Sequence, residues 1–84
     1  MHDRYLVKVS DKFWRENGDY TIIVTLLDRH ERMLGEKQVP AWDCVPDGIL
    51  DLLDARGEQF VGMLPDLNPG RADSRTFWIV IKRT

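Results

Sequence analysis

Apolar and polar residues alternate with a period of two near the amino terminus. Between Arg4 and Trp14, the apolar residues Tyr5, Val7 and Val9 lie two apart, and the polar residues Lys8, Ser10 and Lys12 occupy the alternate positions. This is the spacing of a β-strand that buries one face and leaves the other in water. The pattern predicts a first strand with one buried face.

Two further strands are predicted after it. The dipeptide Asn17-Gly18 favours a tight hairpin turn, and residues 19–28 that follow are rich in branched side chains. Both faces of this second strand are at least half apolar, which is typical of a central strand. A third strand is predicted over about 32–39, because Pro40 cannot donate to a strand ladder.

The stretch from Pro46 to Gly57 fits a helix better than a hairpin. In a strand, Asp51 would share a face with Ile49 and Leu53, which would bury a charge. On a helix, at about 100° per residue, three aspartates fall on one side and the apolar residues on the other. The aspartates are Asp47, Asp51 and Asp54, and the apolar residues are Val45, Ile49, Leu52 and Leu53.

The ends of this segment also suit a helix, predicted at roughly 46–56. Pro46 is favoured in the first turn, Arg56 complements the dipole in the last turn, and Gly57 is placed to cap it. Gly48 in the first turn argues against a helix, because glycine lowers helix propensity. The alternative is a second hairpin turning at residues 55–57.

The remainder reads as a short strand over 58–64, a loop over 65–75 and a last strand over 76–82. We therefore predict one domain, residues 1–84, of the β-rich α+β class with the order β-β-β-α-β-β. This order is that of the small oligonucleotide/oligosaccharide-binding barrel, and an open sheet with a helix is also consistent with it. An all-β sandwich is the alternative if the helix is a hairpin.

Composition and cysteine content narrow the class of protein. The 84 residues are 43% hydrophobic and 31% charged, which is typical of a folded globular chain. One cysteine cannot form an internal disulfide, and no leader peptide is recognisable, so we expect a cytoplasmic protein. The apolar runs are far shorter than the roughly 20 residues that span a bilayer, and no membrane partner is expected.

Charge is unevenly distributed although the net charge is only −2. Residues 43–66 carry six acidic groups against Arg56 alone, a net −5, whereas residues 67–84 carry four basic groups against Asp73, a net +3. The ends are basic and the middle is acidic. The acidic helix face, formed by Asp47, Asp51 and Asp54 and continued by Glu58, is the first candidate binding surface, and it suits a basic partner surface.

A strand face is the second candidate surface. Trp78 alternates with apolar neighbours on the last strand, and it would share a side with Lys82 and, if the terminal strands are adjacent, with Lys8. Arg71 and Arg75 lie in the loop before this strand. Such a face could stack single-stranded nucleic acid. If the sheet is open, Ile23 and the neighbouring apolar residues would also be exposed there, and could contact a partner or a second copy of the chain.

The sequence contains no convincing arrangement of catalytic or metal-binding residues. Cys44 lies near the predicted helix start, where a thiol can be activated, but the mid-chain histidine, His30, is in a different turn. We interpret Cys44 as a small apolar residue beside Trp42. Asp28 beside His30 lacks the ligand spacing of a zinc site, and the scattered glycines form no phosphate loop. No cofactor and no metal are predicted.

These observations favour a small non-enzymatic protein-protein interaction module. Short acidic chains of this kind are commonly accessory subunits or inhibitors of a larger partner, phage-encoded inhibitors of bacterial machinery among them. The alternative is a single-stranded nucleic-acid-binding protein, which the net negative charge makes the less favoured class. A homodimer through an exposed sheet face is a further expectation if the sheet is open.

Overall fold

A computed structural model describes residues 2–65 and 75–83, and it confirms the β-rich α+β class. Five strands and one α-helix follow the predicted order. They are β1 (His2–Trp14), β2 (Asp19–Leu27), β3 (Met33–Val39), α1 (Val45–Asp54), β4 (Glu58–Pro65) and β5 (Thr76–Arg83), with a short 3-10 turn, Trp42–Cys44, leading into α1. No helix in these described ranges is long and apolar enough to cross a membrane.

The five strands form one antiparallel sheet in the order β3-β2-β1-β5-β4. The long strand β1 lies in the centre and pairs with both β2 and β5. The edge strands β3 and β4 lie at opposite ends of the order, so the sheet does not close into a barrel. Of the two predicted arrangements, the open sheet with a helix is therefore the one that forms.

The β1–β2 hairpin turns where the sequence predicts it. Gly18 has a positive φ of 72°, which favours glycine, and its N–H donates to the carbonyl oxygen of Trp14 at 2.8 Å. The side-chain oxygen of Asn17 accepts from the N–H of Asp19 at 3.2 Å. This turn fixes the register in which Val7 pairs with Leu26.

The hydrophobic core lies between α1 and one face of the sheet. Alternate residues of the central strands point toward α1, whose Val45, Ile49 and Leu53 are buried against them. On the sheet side the core consists of Tyr5, Val7, Val9, Ile22, Val24, Leu26, Val39, Ile79 and Ile81. The alternation in the sequence thus predicts which face of β1 is buried, whereas in β2, where both faces are rich in apolar residues, pairing with β1 decides it.

Gly48 is the residue that brings α1 close to the sheet. It is buried, and a Cβ atom at this position would lie 3.1 Å from Cγ1 of Val39 and 3.6 Å from Cγ2 of Val24. The glycine that lowers helix propensity therefore permits close packing of helix on sheet. After α1 ends at Asp54, Gly57 adopts a φ of 70° and donates its N–H to the Asp54 carbonyl oxygen, so the helix is shorter than predicted at its carboxyl end.

Truncation of Leu53 tests this packing. Leu53 is 1% exposed, and we expect Leu53→Ala to lower the free energy of unfolding by about 2–5 kcal/mol because it leaves a cavity under the helix. Leu50, 44% exposed on the same helix, is the matched control, and Leu50→Ala should cost less than about 1 kcal/mol. Urea denaturation followed by circular dichroism measures both, and equal losses would contradict the position of the helix.

Candidate functional site

The outer surface of α1 is acidic, as the periodicity indicates. Asp47, Asp51 and Asp54 are all exposed. The carboxylate of Asp51 forms an ion pair with the ammonium group of Lys37 on β3, with 2.5 Å between Nζ and Oδ2. Part of the negative charge of this surface is therefore neutralised by the protein's own edge strand.

Glu58 does not belong to this acidic surface, which corrects the expectation from sequence. It is the first residue of β4, is 4% exposed, and lies on the face of the sheet that α1 covers. Its carboxylate accepts a hydrogen bond from the hydroxyl of Tyr5 and ion-pairs with Arg56, with 2.6 Å between Nε and Oε1, and with Arg83, with 3.4 Å between Nε and Oε2. Helical spacing continues the acidic face of α1 to Glu58, past the residue that caps the helix. Glu58 instead pairs with Arg83 in the sheet, and this pairing directs its side chain toward the face that α1 covers.

These partners hold Glu58 in its charged form. Burial by itself raises the pKa of the Glu58 carboxyl, but the hydrogen bonds from Tyr5 and Arg56, together with the charge of Arg56, outweigh burial and lower the pKa below its ordinary value. Hydrogen bonds from Arg56 to the Tyr5 hydroxyl, at 3.5 Å, and to Glu58 raise the pKa of Arg56. We assign this cluster a role in stability, because its carboxylate is buried and is paired with two guanidinium groups.

The opposite face of the sheet, which we call the open face, is not covered by any helix in the described residues. Leu6 alternates with Tyr5 and Val7, so it points away from α1. In the strand register Leu6 pairs with Leu27 on one side and with Trp78 on the other. The row continues to both edges of the sheet, and we call it the apolar band: Met33, Leu27, Leu6, Trp78 and Leu64, one residue from each strand.

Exposure within the apolar band rises from the centre to the edges. Leu6 is 1% exposed because its neighbours cover it, Leu27 and Trp78 are half-buried, and Met33 and Leu64 are 63% and 39% exposed. No helix covers this face within the described residues. The exposed apolar surface of the band therefore lies mainly at its two ends, with half-buried Leu27 and Trp78 between them and Leu6 buried at the centre.

Some of the residues of the second predicted surface lie on this open face. Ile23 is half-buried on β2, and its pairing with Ser10 puts it on the open side. Lys8 pairs with Thr25 and Thr76 in the row next to the apolar band, and Lys82 pairs with His2 further along the same face. Trp78, Lys8 and Lys82 therefore share a face as predicted, whereas Arg71 lies outside the described residues.

Arg75 lies on the other side of the sheet. Its guanidinium donates to the carboxylate of Asp11 at 3.0 Å, and it lies 5.1 Å from the ring centroid of Trp42. The hydroxyl of Tyr20 donates to the same carboxylate at 2.7 Å, which lowers the pKa of Asp11 and raises that of Tyr20. Arg75 thus joins the 3-10 turn to the sheet, and the expectation that it lies beside Trp78 is wrong.

Cys44 does not have the features of an activated thiol. It is partly buried at the start of α1, and burial, followed by the negative charge of Asp43, raises the pKa of the thiol. Its Sγ lies 3.7 Å from Oδ1 of Asp43. His30 is exposed in the β2–β3 turn. In residues 2–65 and 75–83, no group of three or more His, Cys, Asp or Glu side chains is arranged to hold a metal ion.

A cavity opens at one end of the open face, and the sequence reading did not identify it. It has a volume of about 400 Å³ and is lined by His2, Asp3, Arg4, Arg29 and Trp78. Hydrophobic periodicity gives no indication of Arg29, because this residue follows β2 in a turn, outside the periodic segments. The signal that could have located it is the β1–β2 register: continued two residues beyond the pairing of Leu6 with Leu27, it places residue 29 beside residue 4.

Comparisons with known proteins add no functional information. A scan of protein-family models, a search of curated proteins and a search of solved structures each give no match to this chain.

The charge of Glu58 gives a pH-dependent prediction. Because folding lowers the Glu58 pKa, its stabilisation is present above the unfolded pKa of about 4.3 and is lost as the pH falls through the folded pKa. We expect Glu58→Gln to lower the free energy of unfolding by about 1–3 kcal/mol at neutral pH, with the difference from wild type shrinking in acid. Urea titrations at neutral and acid pH measure this difference.

Glu36, exposed on β3, provides the matched control for that experiment. Glu36→Gln removes the same charge from the surface and should leave stability unchanged within about 0.5 kcal/mol at both pH values. A deficit in Glu58→Gln that is equal at neutral and acid pH would show that packing, and not charge, is what the substitution removes.

Proposed function

We propose that this protein is a small protein-binding module that attaches to a larger partner through the open face of its sheet. The observation that carries the proposal is the apolar band, because its five side chains are aligned across the whole sheet and end in the exposed Met33 and Leu64. Contiguous apolar surface of this kind commonly marks an interface.

The composition of the band favours a protein as the partner. Four of its five side chains are Met or Leu, and the fifth is Trp78. Met and Trp are enriched at protein interfaces, and aliphatic side chains pack well against an apolar protein surface. A nucleic-acid platform, by contrast, is built mainly from aromatic rings on which bases stack.

The charges beside the band indicate the chemistry of the partner. Arg4, Lys8 and Lys82 are exposed on this face and form no ion pair with the other described residues. A partner surface with apolar side chains in the middle and acidic ones around them would complement the face. Glu36 is exposed in the same row as Lys8, but positive groups outnumber it beside the band, so a two-fold dimer through this face would bring mainly like charges together, which disfavours a second copy as the occupant.

In this proposal the protein acts as an accessory subunit or an inhibitor, by covering a surface of the larger protein without performing chemistry itself. The open face replaces the acidic helix as the leading binding surface, because Asp51 is already paired with Lys37. The expected location stays the cytoplasm, and inhibition of a bacterial target by a phage-encoded chain stays a special case of the same mechanism.

Charge introduced into the band tests the proposal. The double variant Met33→Glu, Leu64→Glu should lose capture of a defined protein from native host cells, because two carboxylates would be buried in an apolar interface. Its matched control is Asp47→Lys, Asp54→Lys on the helix surface, which should keep that capture. Quantitative mass spectrometry compares the two, and circular dichroism checks that both variants fold.

The captured protein is then purified and titrated with wild type and both variants by calorimetry. A dissociation constant weakened at least about tenfold by the band variant alone supports the proposal. Loss with the helix variant and not with the band variant would overturn it in favour of the acidic surface. Light scattering of the free protein distinguishes a dimer, and a dimer broken by the band variant would also overturn it.

Single-stranded nucleic acid is the second candidate partner, favoured by the position of Trp78 among cations of the open face. If it binds there, anisotropy of a labelled oligothymidine should rise at low salt and fall steeply by about 200 mM salt, because phosphate contacts release counterions. Trp78→Ala should abolish the signal with the fold intact, and Trp14→Ala, exposed at the far end of β1, is the control. Absence of binding at low salt would eliminate this candidate.

A further inference from the structure

We propose that the cavity lined by Arg4, Arg29 and Trp78 is a binding site for a nucleotide, with its phosphate on the two guanidinium groups and its base against the indole. Binding of a nucleotide at this site does not depend on the proposed protein interface, because it needs no protein partner. The two share Trp78, and the remaining lining residues of the cavity lie outside the apolar band.

The size and shape of the cavity suit a small molecule. Its volume is about 400 Å³, at the lower end of the range of roughly 300–1,000 Å³ that is typical of small-molecule sites. It opens to solvent on the face of the sheet that no described helix covers.

Two unpaired cations face this cavity. Neither Arg4 nor Arg29 forms an ion pair with the other residues in the described part of the chain. Asp3 is the acidic residue of the lining, but its Oδ1 accepts the backbone N–H of Arg4 at 2.8 Å and its Oδ2 accepts from Arg83 at 3.2 Å. The charge of Asp3 is thus matched by Arg83, and no other acidic side chain of the described residues pairs with the two arginines of the lining.

The position of Arg29 is fixed by the turn between β2 and β3. Asp28 closes this turn: its Oδ1 accepts the N–H groups of His30 and Arg32 at 2.8 and 2.9 Å, and its Oδ2 accepts from Nε of Arg32 at 3.0 Å. These hydrogen bonds, that of the Arg32 N–H first, lower the pKa of Asp28 and keep it charged. The turn therefore presents Arg29 beside Arg4 before any ligand binds.

The chemistry of the lining selects the class of ligand. Placing two like charges at one cavity is unfavourable without an anion, and guanidinium groups bind phosphate through paired hydrogen bonds. A phosphate monoester, with a charge near −2, matches two guanidinium groups better than a single carboxylate does. The half-buried indole of Trp78 adds a flat apolar surface on which a base can stack.

Adenosine monophosphate is the probe for this site. With ¹⁵N-labelled protein, we expect saturable shifts of the Trp78 indole N–H and of the Arg29 amide. Arg29→Gln and Arg4→Gln should each weaken binding at least about tenfold, because each removes a charge-assisted contact to phosphate. Arg15→Gln, which removes an exposed charge beyond the far end of β1, is the matched control and should bind as the wild type does.

Adenosine and inorganic phosphate separate the two halves of the site, and each should bind more weakly than the nucleotide. Arg29 lies in an exposed turn, so Arg29→Gln carries the test if Arg4→Gln does not fold. The proposal is overturned if no saturable shift appears, if Arg15→Gln weakens binding as much as Arg29→Gln, or if phosphate alone binds as tightly as the nucleotide.

Two further arms identify the source of the nucleotide and its relation to the protein interface. A 5′-phosphorylated oligoadenosine that binds more tightly than the mononucleotide indicates the end of a strand, and equal affinity indicates a free nucleotide. The variant Met33→Glu, Leu64→Glu should retain nucleotide binding, because neither residue lines the cavity. Failure of nucleotide binding with intact partner capture would thus refute the cavity site alone.

Discussion

One short helix can cover one face of a five-stranded sheet, and this limit organises the rest of the molecule. Helix α1 has ten residues and packs its apolar side on the face that carries Val7, Val24 and Ile79. A chain of this length has no further described element to place on the other face. The open face is therefore a direct consequence of how much secondary structure the chain contains.

Because α1 covers only one face of the sheet, the exposed aspartates of α1 and several exposed basic groups lie on opposite sides of the molecule. The outer side of α1 carries the exposed aspartates, whereas the open face carries Arg4, Lys8 and Lys82, with Glu36 as an acidic neighbour in the row of Lys8. Charges that lie within the covered layer are matched internally, as Glu58 is by Arg56 and Arg83. Arg4, Lys8 and Lys82, which form no ion pair with other described residues, are thus exposed where a partner or ligand can reach them.

The local sequence pattern predicted structure correctly wherever all the residues that determine a feature lie in one segment. The alternation in β1 predicts its buried face, Asn17-Gly18 predicts the hairpin, and the aspartates of α1 predict its exposed side. Pattern was a poor guide at the junctions between elements. Glu58 continues the acidic helix face on a wheel, yet it begins a strand, and pairing with Arg83 turns it into the core.

The sequence by itself determined the number, type and order of the elements, because hydrophobic periodicity and turn residues act over a few neighbouring positions. Only the tertiary structure decided that β3 and β4 stay apart as open edges, that five apolar residues from five strands align in one row, and that Arg29 lies beside Arg4 at one cavity. Each of these depends on strand register between segments distant in sequence. A shift of one residue would move every side chain to the opposite face.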